Sequence, residues 1–245
     1  MKTIFPDISH WQTVDWKNFK PPFVIMKATQ GTKFIDSFFK NNQLQARENN
    51  IPCGFYHFAN GENYKKEVEW FLKNIGEIRE GELLALDAET GQTQEWCQNF
   101  LEYLENKIGF KPFIYAPVAS WSEELKFPLW VARYGLNNGK INPEYPPKIG
   151  KWKNYTIWQF TSVGKIDGVV SKIDLNVFNG TIDELKSLGK PLESPVSPNL
   201  PPSEVLPPEV VVEPLKPRDD YLKTSNQLTQ MLVELWSFIK QLFKF

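Results

Sequence analysis

Cysteine and histidine are scarce, with two of each in 245 residues, and Cys53 and Cys97 stand in no CxxC or Cys/His cluster. That excludes a zinc-finger framework and a disulfide-stapled scaffold, and leaves two free thiols on segments that read as a buried strand and a helix. No other metal-ligand pattern, glycine-rich phosphate loop or nucleophile elbow occurs, so no cofactor is expected. Charge of one sign is also lacking: 28 basic against 29 acidic residues give a net charge of −1. Such a balance offers no basic surface for nucleic acid. No run of 18 apolar residues could span a bilayer, and the opening Met1-Lys2-Thr3-Ile4-Phe5-Pro6-Asp7 contains no apolar stretch of signal-peptide length. Synthesis in a cytoplasm without a signal peptide is therefore expected, with any export by another route.

What is present is enough apolar material, 41% hydrophobic and 14% aromatic residues, for one sizeable core plus an appendage. Short apolar runs that read as strands cover Ile4–Ile8, Phe23–Ala28, Cys53–Phe58, Leu83–Glu89, Pro112–Ala116, Leu129–Arg133 and Thr156–Phe160, with a last short one near Ile173–Val177. Between them Ser37–Asn50, Tyr64–Gly76 and Thr93–Gly109 show helical spacing: Trp70, Phe71 and Ile75, then Phe100, Leu101 and Leu104. Strand alternating with helix over one core indicates an α/β fold, read here as an irregular TIM-like (β/α) barrel over residues 1–190. Its strands end in polar and aromatic residues able to meet at one C-terminal face.

Beyond Gly189 the composition changes. Nine of the 19 prolines fall between Pro191 and Pro217, and glycine is absent from Lys190 onward, which predicts a semi-rigid, polyproline-like linker over 191–218. Residues 219–245 then read as one amphipathic helix, with Asp219 and Asp220 at its start, Lys240 and Lys244 at its end, and a stripe of Leu228, Leu232, Leu235, Ile239 and Leu242. Self-association or docking on a protein partner is the first expectation for it, and a membrane surface the second.

The chemistry concentrates in Leu84-Ala85-Leu86-Asp87-Ala88-Glu89-Thr90, where two carboxylates at i and i+2 share one strand face, with Cα atoms roughly 6.5–7 Å apart. Like charges held close in a partly dry site raise the pKa of one of them, which then donates a proton near neutral pH. A solvated strand-to-helix junction with a capping carboxylate is the plainer reading of the same motif.

The neighbouring segments resemble, in order, the family 25 glycoside hydrolases, the muramidases that include lysozymes and phage endolysins. The resemblance runs from Ile4 to about Leu185. It is carried by Asp7-Ile8-Ser9-His10-Trp11-Gln12, Met26-Lys27-Ala28-Thr29-Gln30-Gly31-Thr32, Gly54-Phe55-Tyr56-His57-Phe58-Ala59, Leu86-Asp87-Ala88-Glu89, Leu129-Trp130-Val131-Ala132-Arg133-Tyr134, and Trp158-Gln159-Phe160-Thr161-Ser162 leading to Ile173-Asp174-Leu175-Asn176. It implies a peptidoglycan hydrolase that cleaves the β-1,4 bond between N-acetylmuramic acid and N-acetylglucosamine without a cofactor, with net retention through the substrate's acetamido group. Glu89 is implied as the general acid and Asp87 as the group that tunes it and orients the acetamido group. Asp7 and Asp174 complete an acidic floor. A phage or prophage lysin or a virion-associated lysozyme is the implied setting, acting on the bacterial wall. A peptidoglycan-binding module on the same fold, without turnover, is the alternative.

Other side chains have two readings. Tyr56, Trp130, Tyr134 and Trp158 are either core aromatics or rings that stack on the C–H faces of sugars, and Tyr56 and Trp158 are preferred as glycan contacts. Gln159 and Gln30 join them as substrate-binding side chains. Gln30 stands where the family usually carries glutamate, and the lost negative charge should lower neighbouring carboxyls slightly. Arg133, also placed at the substrate, is expected to pair with an acid in or near the pocket, because an unpaired buried charge is costly. Neither histidine receives a catalytic role, and His57 reads as a hydrogen-bonded core residue.

Overall fold

The computed structural model describes residues 2–190; the linker and helix expected over 191–218 and 219–245 lie outside them. In chain order the elements are β1 (Thr3–Ile8), β2 (Val24–Gln30), β3 (Phe34–Ile35), α1 (Phe39–Glu48), β4 (Cys53–Phe58), α2 (Tyr64–Ile75), β5 (Leu83–Asp87), α3 (Gln94–Ile108), β6 (Phe113–Tyr115), β7 (Leu129–Ala132), β8 (Ile157–Ile166), β9 (Val169–Phe178) and α4 (Ile182–Ser187). Neighbours follow the order β1-β9-β8-β7-β6-β5-β4-β2, and a parallel β1–β2 pair with Asp7 opposite Ile25 closes the ring. The two-residue β3 hangs antiparallel on β2.

The expected α/β barrel is therefore present, with one irregularity. Strand β9 runs antiparallel to both β8 and β1. It reaches from Val169 to Phe178, beyond the short strand expected near Ile173–Val177, because it forms a long hairpin with β8 through Asp167-Gly168. Gly168 sits at φ +83°, and a Cβ there would lie 2.6 Å from the Phe19 backbone nitrogen, so only glycine fits the turn.

Alternation along the strands makes two apolar layers. Phe5, Ile25, Leu83, Ala85, Phe113, Trp130 and Ile157 pack together inside the ring. Their chain neighbours Val24, Met26, Leu84, Leu86, Ile114, Leu129, Val131 and Trp158 belong to a separate outer core with Phe39, Ala46, Val68, Phe71, Phe100 and Leu104 of the helices. Both faces of the sheet are covered, which is why its strands read as nearly continuous apolar runs. Period 2 then dictates what lies two residues past the inner apolar layer: Asp7, Lys27, Asp87, Tyr115 and Gln159, all toward the strands' C-terminal ends.

Local signals set the helix limits. Asn63 and Thr93 cap α2 and α3 by accepting from the Lys66 and Trp96 amides, and α4, which the strand and helix spacing did not announce, opens on a Thr181–Glu184 capping box. Among the described residues no helix is long and apolar enough to cross a membrane.

His57 behaves as a core residue. Its ring is wholly buried, with Nδ1 2.8 Å from Thr29 Oγ1 and Nε2 2.8 Å from Glu67 Oε2, and it stacks on Phe100. Burial holds its imidazole below its ordinary pKa, against the opposing pull of Glu67. Glu67 also accepts from the Asn60 and Glu62 amides, and so ties α2 to the loop after β4. The thiols of Cys53 and Cys97 are free and buried. Burial pushes the Cys97 thiol up to about 12, which makes it inert. Substituting Glu67→Leu strands His57 and two amides without an acceptor. A loss of about 3 kcal/mol or more is expected by urea unfolding, with Glu67→Gln costing less; equal stabilities of wild type and Glu67→Leu would remove the network from the account of the fold.

Candidate active site

The acids singled out in the sequence converge at the C-terminal mouth of the barrel. Asp7 on β1 and Asp174 on β9 are direct cross-strand partners, 167 residues apart in the chain but side by side in space. Asp87 ends β5. Glu89 follows two residues later, beyond the strand rather than within it as expected.

Their titration reflects the crowding. Burial, followed by the charges of Asp7 and Glu89, raises Asp174 to about 8. Asp87 is pushed well above the carboxylate range by burial and by Glu89, against the opposing pull of Lys27. Asp7 is raised by burial, offset by two amide donors: Gln159 Nε2 at 2.9 Å and Asn176 Nδ2 at 2.8 Å, both on Oδ2. Asp174 has no such donors among the described residues. A proton shared by the pair therefore rests on Asp174 and the negative charge on Asp7. Glu89 stands at the exposed rim, raised by partial burial and lowered by the Lys27 cation.

Gln159 is the hub that orients this floor. Its Oε1 accepts from the hydroxyls of Tyr115 at 3.1 Å and Tyr134 at 2.9 Å, which forces Nε2 toward Asp7. Asn176 is fixed the same way, since Trp130 Nε1 donates to its Oδ1 at 2.8 Å and leaves Nδ2 for Asp7. Tyr56 lies half-buried among the acids, whose charges add to burial in raising its hydroxyl well above its ordinary value.

On the opposite wall Lys27 Nζ sits 4.3 Å above the Phe58 ring and donates to Gln30 Oε1 at 2.9 Å, while Gln30 Nε2 reaches Asn60 Oδ1 at 3.1 Å. Gln30 thus holds the lysine without neutralising it. The histidines stay away from the acid floor: His10 Nδ1 contacts Asp36 Oδ2 at 2.7 Å.

Three expectations are corrected. Trp130 is 2% exposed inside the ring, with its indole N–H already committed to Asn176, so it supports the acid floor and has no face free for a sugar. Trp158 is 5% exposed and packs in the outer core with Tyr155 and Phe160. Adjacent strand residues point to opposite faces, and Gln159 takes the inner one. Arg133 pairs with no acid among the described residues; it lines a cavity beside Glu89 and leaves its buried Nε without a partner. Lys27, Tyr115 and Asn176 were missed, although each stands two residues from an inner apolar position and period 2 alone would have marked them.

The arrangement can do acid chemistry. All four carboxyls are held above their ordinary values by burial, and one of them, Glu89, lies within reach of solvent beside a buried anionic Asp7 able to stabilise a developing cation.

Residues 6–169 match the sequence profile of the family described as Glycosyl hydrolases family 25. The protein YegX of Escherichia coli is 29% identical over 74% of this chain and 71% of its own length. Lysozyme M1 of Streptomyces globisporus is 28% identical over 74% of this chain and 69% of its own. Among solved structures, the catalytic domain of endolysin ply40 from a Listeria monocytogenes bacteriophage aligns with a TM-score of 0.64 at 27% identity, over 76% of this chain and 98% of that one.

The raised carboxyl of Asp174 carries a consequence for stability. In the unfolded chain an aspartate loses its proton near 3.8, whereas folded Asp174 keeps it until about 8, so the fold weakens as pH rises across that window. Asp174→Asn removes this penalty. Its gain in Tm over wild type is expected to grow between pH 4 and pH 8 by calorimetry, and a gain independent of pH would refute the assignment.

Proposed function

Given that the chain belongs to the family 25 glycosyl hydrolases and is a peptidoglycan muramidase, a glycosidase acting on the bacterial cell wall, we propose that Glu89 is its general acid. In this reading Asp87, Asp7 and Asp174 complete the catalytic group. The reading is supported above all by the four carboxyls at the barrel mouth, each raised by burial, with Glu89 the most open of them to a substrate.

Glu89, whose carboxyl burial raises above its ordinary value, gives its proton to the leaving oxygen of the β-1,4 bond between N-acetylmuramic acid and N-acetylglucosamine. As the sugar gains oxocarbenium character, the negative charge resting on Asp7 stabilises it electrostatically. Among the described residues Asp87 Oδ1 is buried with no partner, and the amide N–H of the substrate's own acetamido group satisfies it. That contact aims the acetamido oxygen at the anomeric carbon, giving net retention once Glu89 returns as base toward water. Tyr56 and Tyr134 flank the sugar, and Gln159 and Gln30 act through Asp7 and Lys27.

The decisive comparison is turbidity loss of purified cell walls by wild type and Glu89→Gln, with mass analysis of the muropeptides. A fall of about 100-fold or more is expected, with new reducing ends on muramic acid. Equal rates would remove Glu89 from the role, and binding without lysis by either protein would favour a peptidoglycan-binding module. Gln30→Glu neutralises Lys27, which lowers Glu89, so the alkaline limb of kcat/KM is expected to move to higher pH; an unmoved limb would dismiss this coupling.

Two further parts of the proposal rest on the sequence of 191–245 and on the likeness to relatives. The leucine stripe of 219–245 supports a self-associating or docking helix, joined to the barrel by the proline-rich stretch 191–218. Sedimentation of the full chain against one ending at Lys190 is expected to show a larger species only for the former, and identical masses would dismiss self-association. The likeness to a phage endolysin domain supports a lysin or virion lysozyme.

A further inference from the structure

We propose that the cavity beside Glu89 binds the carboxylate borne by the lactyl ether of muramic acid, with Arg133 and Lys148 as its cationic partners. The proposal rests on the muramidase reading and assigns a recognition element to the same site.

The cavity measures about 400 Å³ and opens between the ends of β6 and β7, next to Glu89. That is within the range of sites for small organic ligands. Much of its wall is small and apolar, including Ala116, Val118, Ala119 and Val131, and its charged lining besides Glu89 is Arg133 and Lys148. Neither cation has an ion-pair partner among the described residues. Arg133 Nε is buried without a hydrogen-bond partner among the described residues, although the arginine backbone is fixed: its amide donates to the Gln159 carbonyl at 3.0 Å and its carbonyl accepts from Trp158 Nε1 at 2.8 Å. A guanidinium donor buried in a fixed position with nothing to bind is costly unless a ligand satisfies it.

The substrate's chemistry identifies that ligand. Muramic acid differs from glucosamine by the lactyl ether, which ends in a carboxylate or in a stem peptide that bears one. Approaching four clustered carboxyls, such an anion is repelled unless cations meet it. An arginine fork supplies the pairing geometry, Lys148 adds charge at the open side, and the small apolar wall suits the methyl groups of lactate and alanine. On this account the cavity separates muramyl from chitin-like sugars by charge.

The test titrates the full chain with three disaccharides at low and high salt: N-acetylglucosaminyl-N-acetylmuramic acid, the same sugar carrying L-alanyl-D-glutamate, and di-N-acetylchitobiose. The anionic sugars are expected to bind about tenfold more tightly than chitobiose at low salt, with the advantage shrinking as salt rises. Arg133→Gln and Lys148→Gln are each expected to erase most of that advantage while chitobiose affinity stays put. The stronger anionic sugar tells whether the lactyl or the peptide carboxylate is held. Equal affinities in wild type, or an advantage that survives both substitutions, would overturn the site. Lys148 is exposed, so its variant keeps the test alive if Arg133→Gln does not fold. Absence of wall lysis by wild type, with the anionic preference intact, would sink the muramidase reading and spare the cavity.

Discussion

In a closed barrel each strand turns one face to a shared interior, and a side chain two residues beyond an inner apolar one can only point into the mouth. Here that constraint acts on five strands at once. Phe5 leads to Asp7, Ile25 to Lys27, Ala85 to Asp87, Phe113 to Tyr115 and Ile157 to Gln159, so residues scattered over the chain become one polar floor above a packed apolar plug. The same rule sends Trp158 outward and keeps Trp130 within, where its single donor anchors Asn176.

Gathering carboxyls on one floor sets charge against burial. The molecule answers with donors of fixed direction and one restrained cation. Tyr115 and Tyr134 decide which way the Gln159 amide points, and that choice delivers its N–H to Asp7. Burial works against the charge on Lys27 and the carboxyls of Asp87, Asp36 and Glu89 sustain it, while Gln30 holds the ammonium through a carbonyl that adds no anion. The floor remains strained by its own repulsion, a form of stored destabilisation common at reactive centres.

Much of this was legible in the chain. Strand β4 has the limits read from its apolar run, the three longer helices lie inside their predicted spans, and the four acids meet as their strand-end positions implied. The rest failed for physical reasons. Alternation cannot tell the inside of a barrel from the helix-covered outside when both are apolar, so Trp158 was assigned to the wrong face. The β8–β9 hairpin hid behind the Lys165–Lys172 stretch, which is polar because that part of the hairpin is solvated. Arg133 was read through the rule that buried charges find partners, whereas its partner is absent from the described residues. The reading of 191–245 concerns residues outside those described.

The ring is completed by its first and last strands. Thr3 lies opposite Phe178, and Asp7 opposite Asp174, across the seam where β9 runs against its neighbours. A nascent chain therefore holds half of this carboxyl pair early and lacks the other half until nearly all of the barrel has left the ribosome. Because the seam is also the most sequence-distant pairing, it is costly to close and late to form. The full set of acids is thus assembled only when the ring closes, and no translation product that stops short of β9 can hold it.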